Sequence, residues 1–130
     1  MGTALHENEI SERIIGCAIE VHRALGPGLL ESAYEECLAA EMKSQGLHFE
    51  RQKPVPLVFR NLKLDCGYRV DFLVEEKVVV ELKALDVLPP VMKSQVLTYV
   101  RLLDKRLGLL INFHHEILVK GIRRIVNKLE

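Results

Sequence analysis

Between Leu64 and Val74 every second residue is apolar: Leu64, Cys66, Tyr68, Val70, Phe72 and Val74. That two-residue repeat predicts a β-strand with one buried face. Glu75-Glu76-Lys77 is a short polar turn, and Val78-Val79-Val80-Glu81-Leu82-Lys83-Ala84 is a second strand, β-branched at its start. The two strands lie close enough in the chain to form a hairpin. A three-residue turn pairs Val74 with Val78 and keeps Val78, Val80 and Leu82 on the apolar side, with Val79, Glu81 and Lys83 on the other. A two-residue turn would pair Val74 with Lys77 and mix polar with apolar on each face. A slip of one residue flips every side chain, so the apolar pattern favours the first register. In it Asp71 stands directly opposite Glu81, with Cβ atoms about 4.5–5.5 Å apart.

Two facing carboxylates repel unless a cation lies between them. Mg²⁺ suits the pair: it is a hard ion that takes carboxylate oxygens and keeps waters able to attack phosphorus. Lys83 points to the same side as Glu81, where it could orient water, offset charge on a phosphorane-like transition state, or balance the carboxylates. The competing reading is a solvated cross-strand charge cluster. Against it, Glu81 and Lys83 interrupt an otherwise apolar strand, where burying charge is costly without a partner.

The rest of the chain supplies helices around this hairpin. Ile14, Ala18, Val21 and Leu25, with Ile15 and Ile19 beside them, recur at helical spacing, predicting a helix over 9–25 with Ser11 or Asn8 as its cap. Gly26-Pro27-Gly28 ends it. A second helix is expected over 30–44, with a stripe of Leu30, Ala33, Tyr34, Cys37, Leu38 and Met42, stopped by Gly46. Val55, Leu57 and Phe59 alternate, and Pro54 and Pro56 confine that strand to an edge or to its beginning. Arg60 to Lys63 reads as a turn. Pro89-Pro90 introduces a third helix over 91–105, and Leu107 to Phe113 reads as a strand buried on both faces. His114-His115-Glu116 reads as a turn and Ile117 to Val119 as a short strand. The tail from Gly121 fits either a helix or an edge strand.

The order α-α-β-β-β-α-β, closed by a strand or a helix, is a mixed α/β layer. The 130 residues contain no repeat, linker or low-complexity stretch, so one domain is expected. A chain of this size buries roughly two-thirds of its unfolded surface. Hydrophobic residues make up 48% and charged residues 28%, which argues against disorder. Cys17, Cys37 and Cys66 have no metal-ligand spacing and read as buried free thiols in a reducing compartment. The acidic N-terminus is unlike a signal peptide, and no apolar run reaches the length of a membrane span, so a cytoplasmic protein without membrane contact is expected. The formal net charge is zero, whereas dedicated nucleic-acid binders usually carry a basic excess.

Asp71 in YRVDFLVE, followed by Glu81-Leu82-Lys83, resembles the D…E-x-K core of the PD-(D/E)XK nuclease superfamily. Leu25 to Tyr34 (LGPGLLESAY) resembles the signature of the bacterial GxxExxY protein family, with Gly28, Glu31 and Tyr34 at the named positions. KSQVLTYVRLL and LGLLINF are similar to that family's later part, so the resemblance runs from about Ile10 to Val126. It implies a restriction-endonuclease-like α/β core, a mixed central sheet flanked by helices. It also implies a metal-dependent nuclease, with Mg²⁺ or Mn²⁺ held by Asp71 and Glu81 and with Lys83 as the catalytic lysine. Glu31 matches an acid on an early helix that joins the metal site in related nucleases, and Gln95 matches a recurring glutamine on the helix after E-x-K. Val70 departs from the pattern by standing where the superfamily's nominal proline falls. The implied partner is nucleic acid, with DNA favoured over RNA. Neutral charge and small size leave two further readings: a non-catalytic module that binds a protein or nucleic acid, and a homodimer that builds a larger cleft.

Other polar residues have plainer readings. Glu31 would be favoured in a first helical turn by the helix dipole alone. Tyr34 reads as core or as a prop for Glu31. For Gln95 a buried hydrogen-bonding role competes with catalysis. His22 reads as a satisfied core histidine, and Arg123, Arg124 and Lys128 as a solvated basic tail.

Overall fold

The computed structural model describes residues 4–130, so the first three residues of the acidic N-terminal stretch lie outside it. Helix α1 spans Glu7–Leu25 and α2 spans Glu31–Ser44. Strand β1 (Phe49–Pro54) follows, then the short β2 (Leu57–Phe59) and β3 (Leu62–Leu64). The predicted hairpin is β4 (Arg69–Val74) and β5 (Val78–Lys83). Helix α3 (Val91–Leu102), β6 (Leu107–Asn112), a 3₁₀ turn (Leu118–Gly121) and β7 (Ile122–Val126) complete the chain. Among the described residues no helix is long and apolar enough to cross a membrane.

Five strands form one mixed sheet in the order β1-β4-β5-β6-β7, and β2-β3 form a separate two-stranded ribbon. Strand β4 pairs with β5 through Val74↔Val78, Leu73↔Val79 and Phe72↔Val80, the register that the apolar alternation favours. Glu75 and Glu76 adopt φ of 52° and 57°, and Lys77 N donates to Val74 O at 3.0 Å. This primed turn matches the right-handed twist of the strands it joins. Strands β5 and β6 run parallel, and α3 makes the crossover that parallel neighbours require.

The sheet is covered on both sides. Ile10, Ile14, Ala18, Tyr34, Leu38 and Met42 of α1 and α2 pack on Phe72, Val80, Leu82, Leu109 and Ile111. On the opposite face Val96, Tyr99 and Val100 of α3 pack on Leu73, Val79, Leu110 and Ile125. Strand β6 is therefore buried along its whole length, as its unbroken apolar run predicts. Gly108 allows α3 to approach: a Cβ there would lie 2.8 Å from methyl groups of Val96 and Val100.

Several local expectations are corrected. The alternating run from Leu64 to Val74 is two strands, because the chain turns between them. Gly67 takes φ of 75°, and its N–H donates to Asp65 Oδ1 at 3.2 Å. In the alternation Val55-Leu57-Phe59, Val55 lies in the link after β1, which ends at Pro54 on the sheet edge, and only Leu57 and Phe59 belong to a strand, β2. Ile117 to Val119 lies at a 3₁₀ turn rather than in a strand, and the ambiguous tail is the edge strand β7. His6, rather than Ser11 or Asn8, caps α1, accepting from Asn8 N through Nδ1 at 2.9 Å. Leu25 and Leu30 are exposed at helix ends instead of joining their stripes. Only Cys17 is buried; Cys37 is half-buried and Cys66 exposed.

Candidate active site

Regular pairing between β4 and β5 stops at Phe72↔Val80, and continuing the register brings Asp71 opposite Glu81. There the carboxylates replace the backbone ladder. Asp71 N donates to Glu81 Oε1 at 2.8 Å, and Leu82 N donates to Asp71 Oδ2 at 2.7 Å. Each acid thus commits one oxygen to the facing strand's amide and keeps the other for different company. Across the other edge of β4, Gln52 of β1 is left out of the ladder and takes φ of 52°, a left-handed conformation unusual for a residue with a side chain. Its amide nitrogen donates to Asp71 Oδ1 at 3.2 Å and to Glu35 Oε1 at 2.9 Å. With β4 irregular on both edges, its alternation shifts at Asp71. Val70 consequently packs with Leu73 on the α3 side, not with Phe72 and Val74 as simple alternation predicts.

Glu81 is 5% exposed, and Lys83 Nζ lies 4.0 Å from its Oε2. Burial, and then the neighbouring Asp71 charge, push the Glu81 carboxyl up to about 8; the bond from Asp71 N and the Lys83 charge oppose that rise only in part. Burial also raises Asp71, against the hydrogen bonds from Leu82 N and Gln52 that stabilise its ionised form. Both carboxyls are displaced towards the neutral form, above all by burial, which is deeper at Glu81.

Glu31 is the first residue of α2. Burial raises its carboxyl; Lys83 lowers it, while Asp71 and Glu35 raise it further. Its placement follows from the preceding loop. Gly26 and Gly28 take φ of 71° and 104°. Tyr34, fully buried and stacked on Phe113 at 4.4 Å, donates through its hydroxyl to Gly26 O and accepts from Leu29 N at 3.1 Å. The Gly28, Glu31 and Tyr34 pattern is thus a loop-to-helix joint. The tyrosine ties down the loop that delivers the acid.

Gln95 makes no hydrogen bond to the carboxylates. It is exposed on α3, which removes the buried hydrogen-bonding alternative, and it borders a pocket of about 210 Å³ with Leu57, Tyr68, Thr98, Tyr99 and Leu102. The pocket's link to the site is Tyr99, whose hydroxyl is raised by burial and by the Glu81 charge. His22 is a satisfied core histidine, its Nε2 bonded to His115 O at 2.7 Å. His114 and His115 lie in a turn.

Sequence reasoning missed three supporting residues. Glu35 lies one helical turn after Glu31, a spacing that could have revealed it; it is held by Arg51 Nη2 at 2.7 Å. Gln52 gave no signal, because its role comes from an irregular backbone. Asn112, 1% exposed, was absorbed into an apolar strand, yet its Oδ1 accepts from Leu85 N at 3.0 Å and its Nδ2 donates to Leu85 O at 2.9 Å. It fastens the chain just beyond Lys83.

The donor set fits a hard cation through Asp71 and Glu81, each with one oxygen not engaged by the facing strand. Among the described residues, however, no three His, Cys, Asp or Glu side chains are gathered closely enough to hold an ion. Two carboxylates completed by water and substrate phosphate are a common arrangement for Mg²⁺.

A family model of the PD-(D/E)XK nuclease superfamily matches residues 8–125, and the chain belongs to that superfamily. Its mixed sheet with helices on both faces is the restriction-endonuclease-like α/β fold. Comparison with curated proteins and with solved structures gave no significant match.

Proposed function

We propose that this chain is a metal-dependent nuclease that hydrolyses phosphodiester bonds, with Asp71, Glu81 and Lys83 as its catalytic centre. The observation that carries the reading is the paired break in the ladder. Two acids sit in a largely buried sheet, and burial with the Asp71 charge raises Glu81 to about 8 despite Lys83 beside it. Such an arrangement costs stability and is accounted for by a task that needs carboxylates there.

Asp71 and Glu81 would hold Mg²⁺ or Mn²⁺, with Glu31 adding its charge to their field from the start of α2 rather than completing a three-acid set. When bound, the ion supplies a water activated for attack and charge neutralisation at the phosphate. The residues do the rest. The strand amides at Asp71 and Leu82 fix one oxygen of each carboxylate, so neither acid has to reorganise to present the other. Gln52 orients Asp71, and Lys83 offsets negative charge that grows on the phosphate oxygens. Gln95, at the pocket beside Tyr99, would contact substrate.

The Gly28, Glu31 and Tyr34 joint supports membership of the GxxExxY group within the superfamily. DNA is the favoured substrate, and a cytoplasmic, single-domain protein able to pair as a homodimer completes the reading. The test is Mn²⁺ and Mg²⁺ calorimetry with DNA and RNA cleavage assays on wild type, Asp71→Ala and Lys83→Ala. Metal binding lost in Asp71→Ala, and cleavage lost in Lys83→Ala with nucleic-acid binding retained, is the expected pattern. A wild type that binds nucleic acid, yet cleaves none with either metal, would favour the non-catalytic module instead.

A further inference from the structure

The ribbon of β2 and β3 leaves the body of the fold between Val55 and Tyr68, whose backbone bond of 2.8 Å closes its base. Neither strand joins the five-stranded sheet. Its register pairs Leu57 with Leu64 and Phe59 with Leu62, so these four residues share one face. Three of the four are exposed, Phe59 at 60%, Leu62 at 54% and Leu64 at 39%, while Leu57 at the base is partly buried. An isolated two-stranded ribbon is marginal in water and gains by covering such a face.

Its charge selects the partner. From Leu57 to Leu64 the chain carries no acid; Arg60 stands at the tip beside Phe59 and Lys63, paired with Val58, on the ribbon's other face, within a protein of zero net charge. Arg60 lies over the Phe59 ring, 5.1 Å from its centroid. A second copy of the chain docked by this small patch would bring like charges together, because a two-fold contact sets the same patch against itself. Unpaired bases flanked by phosphates match both features at once: apolar and aromatic side chains stack on bases, and cations meet the backbone.

The position also fits. The pocket of about 210 Å³ at the ribbon's base is walled by Leu57, Tyr68 and Tyr99, with Gln95 at its border, and Tyr68 and Tyr99 have ring centroids 6.0 Å apart. Tyr68 precedes Asp71 by three residues, about 10 Å of extended chain.

We propose that the β2-β3 ribbon grips the unpaired bases of a nucleic-acid strand, with Phe59 and Leu62 against the bases and Arg60 and Lys63 on phosphates, a few nucleotides from the bond to be cut. This rests on the nuclease reading of the carboxylate site. It adds that the substrate is single-stranded, or unpaired where the ribbon touches it.

The test uses full-length protein carrying Lys83→Ala, with fluorescence anisotropy on a single-stranded DNA oligonucleotide and on the same sequence as a blunt duplex. Wild-type cleavage of both is assayed in parallel. The single strand should bind more tightly than the duplex. Adding Phe59→Ala and Leu62→Ala should weaken single-strand binding by about 5- to 150-fold, the range spanned by removal of one base stack. Phe59→Trp should retain it, which sets stacking apart from a loss of folding at these exposed sites. Replacing Arg60 and Lys63 by Ala should flatten the salt dependence by about 0.7 in log–log slope for each phosphate that is no longer neutralised. Unchanged affinity in the double variant, alongside wild-type cleavage, overturns the ribbon's role and spares the nuclease reading. A wild type that neither binds nor cleaves removes both. A wild-type dimer that the double variant splits, with DNA affinity unchanged, makes the ribbon a subunit contact and overturns the proposal.

Discussion

Replacing Glu81 by Gln should make the metal-free protein more stable, and increasingly so from acid to mildly alkaline pH. The Glu81 carboxyl rises from an ordinary 4.5 to about 8 in the folded chain. Below pH 4.5 the folded and unfolded states both carry the proton, and the site is neutral in each. Between these two values the unfolded chain has released the proton while the folded chain keeps it, so stability falls as pH rises. The rise is about 3.5 pH units, and at about 1.4 kcal/mol per unit the loss approaches a ceiling of about 5 kcal/mol by about pH 8. Glutamine keeps the oxygen that accepts from Asp71 N but has no proton to lose. In a chain of 130 residues about 1 kcal/mol moves Tm by about 4 °C, so even a third of that ceiling is about 6 °C. Thermal unfolding followed by circular dichroism in EDTA, from about pH 5 to about pH 8, should show the wild-type Tm falling relative to the variant. Mn²⁺ should recover the loss in the wild type and not in Glu81→Gln. Parallel Tm curves across that range would refute the idea that Glu81 holds a proton against burial and Asp71.

Gln52→Ala removes a hydrogen bond that holds Asp71 down, so Asp71 should ionise at higher pH; calorimetry should find the midpoint of Mn²⁺ binding shifted upwards in pH, with the fold retained. Tyr34→Phe keeps the stack on Phe113 but strips both loop bonds of their partner, and urea unfolding should show a loss of about 1–3 kcal/mol. Gly108→Ala forces a methyl group against Val96 and Val100 and should cost about 1–3 kcal/mol in the same assay, with metal binding unaltered.

The hairpin was legible because both of its strands obey one period and share one boundary. Phe72 and Val74 share one apolar face with Val78, Val80 and Leu82, which allows a single register, and β4 and β5 adopt it, although Val70 beyond Asp71 falls on the other face. The helices were legible for the same reason, within a few residues at either end. The run from Leu64 to Tyr68 kept the alternation of a strand, but a local hydrogen bond at Asp65 and a left-handed Gly67 bent it out of the sheet. Periodicity records which face is apolar; it does not record where pairing stops.

Sequence alone determined which residue types could meet, since strand geometry and register bring Asp71, Glu81 and Lys83 to one place. Only the tertiary structure decided what surrounds them. Gln52 reaches Asp71 because β1 lies along the edge of β4 and its backbone turns left-handed at that one residue. Glu31 and Glu35 join the local field because Tyr34 ties the loop from which α2 starts. The same acid-x-lysine spacing on a solvated strand would titrate near ordinary values. Burial and the approach of distant segments raise Glu81 here, and those depend on packing, which no local pattern encodes.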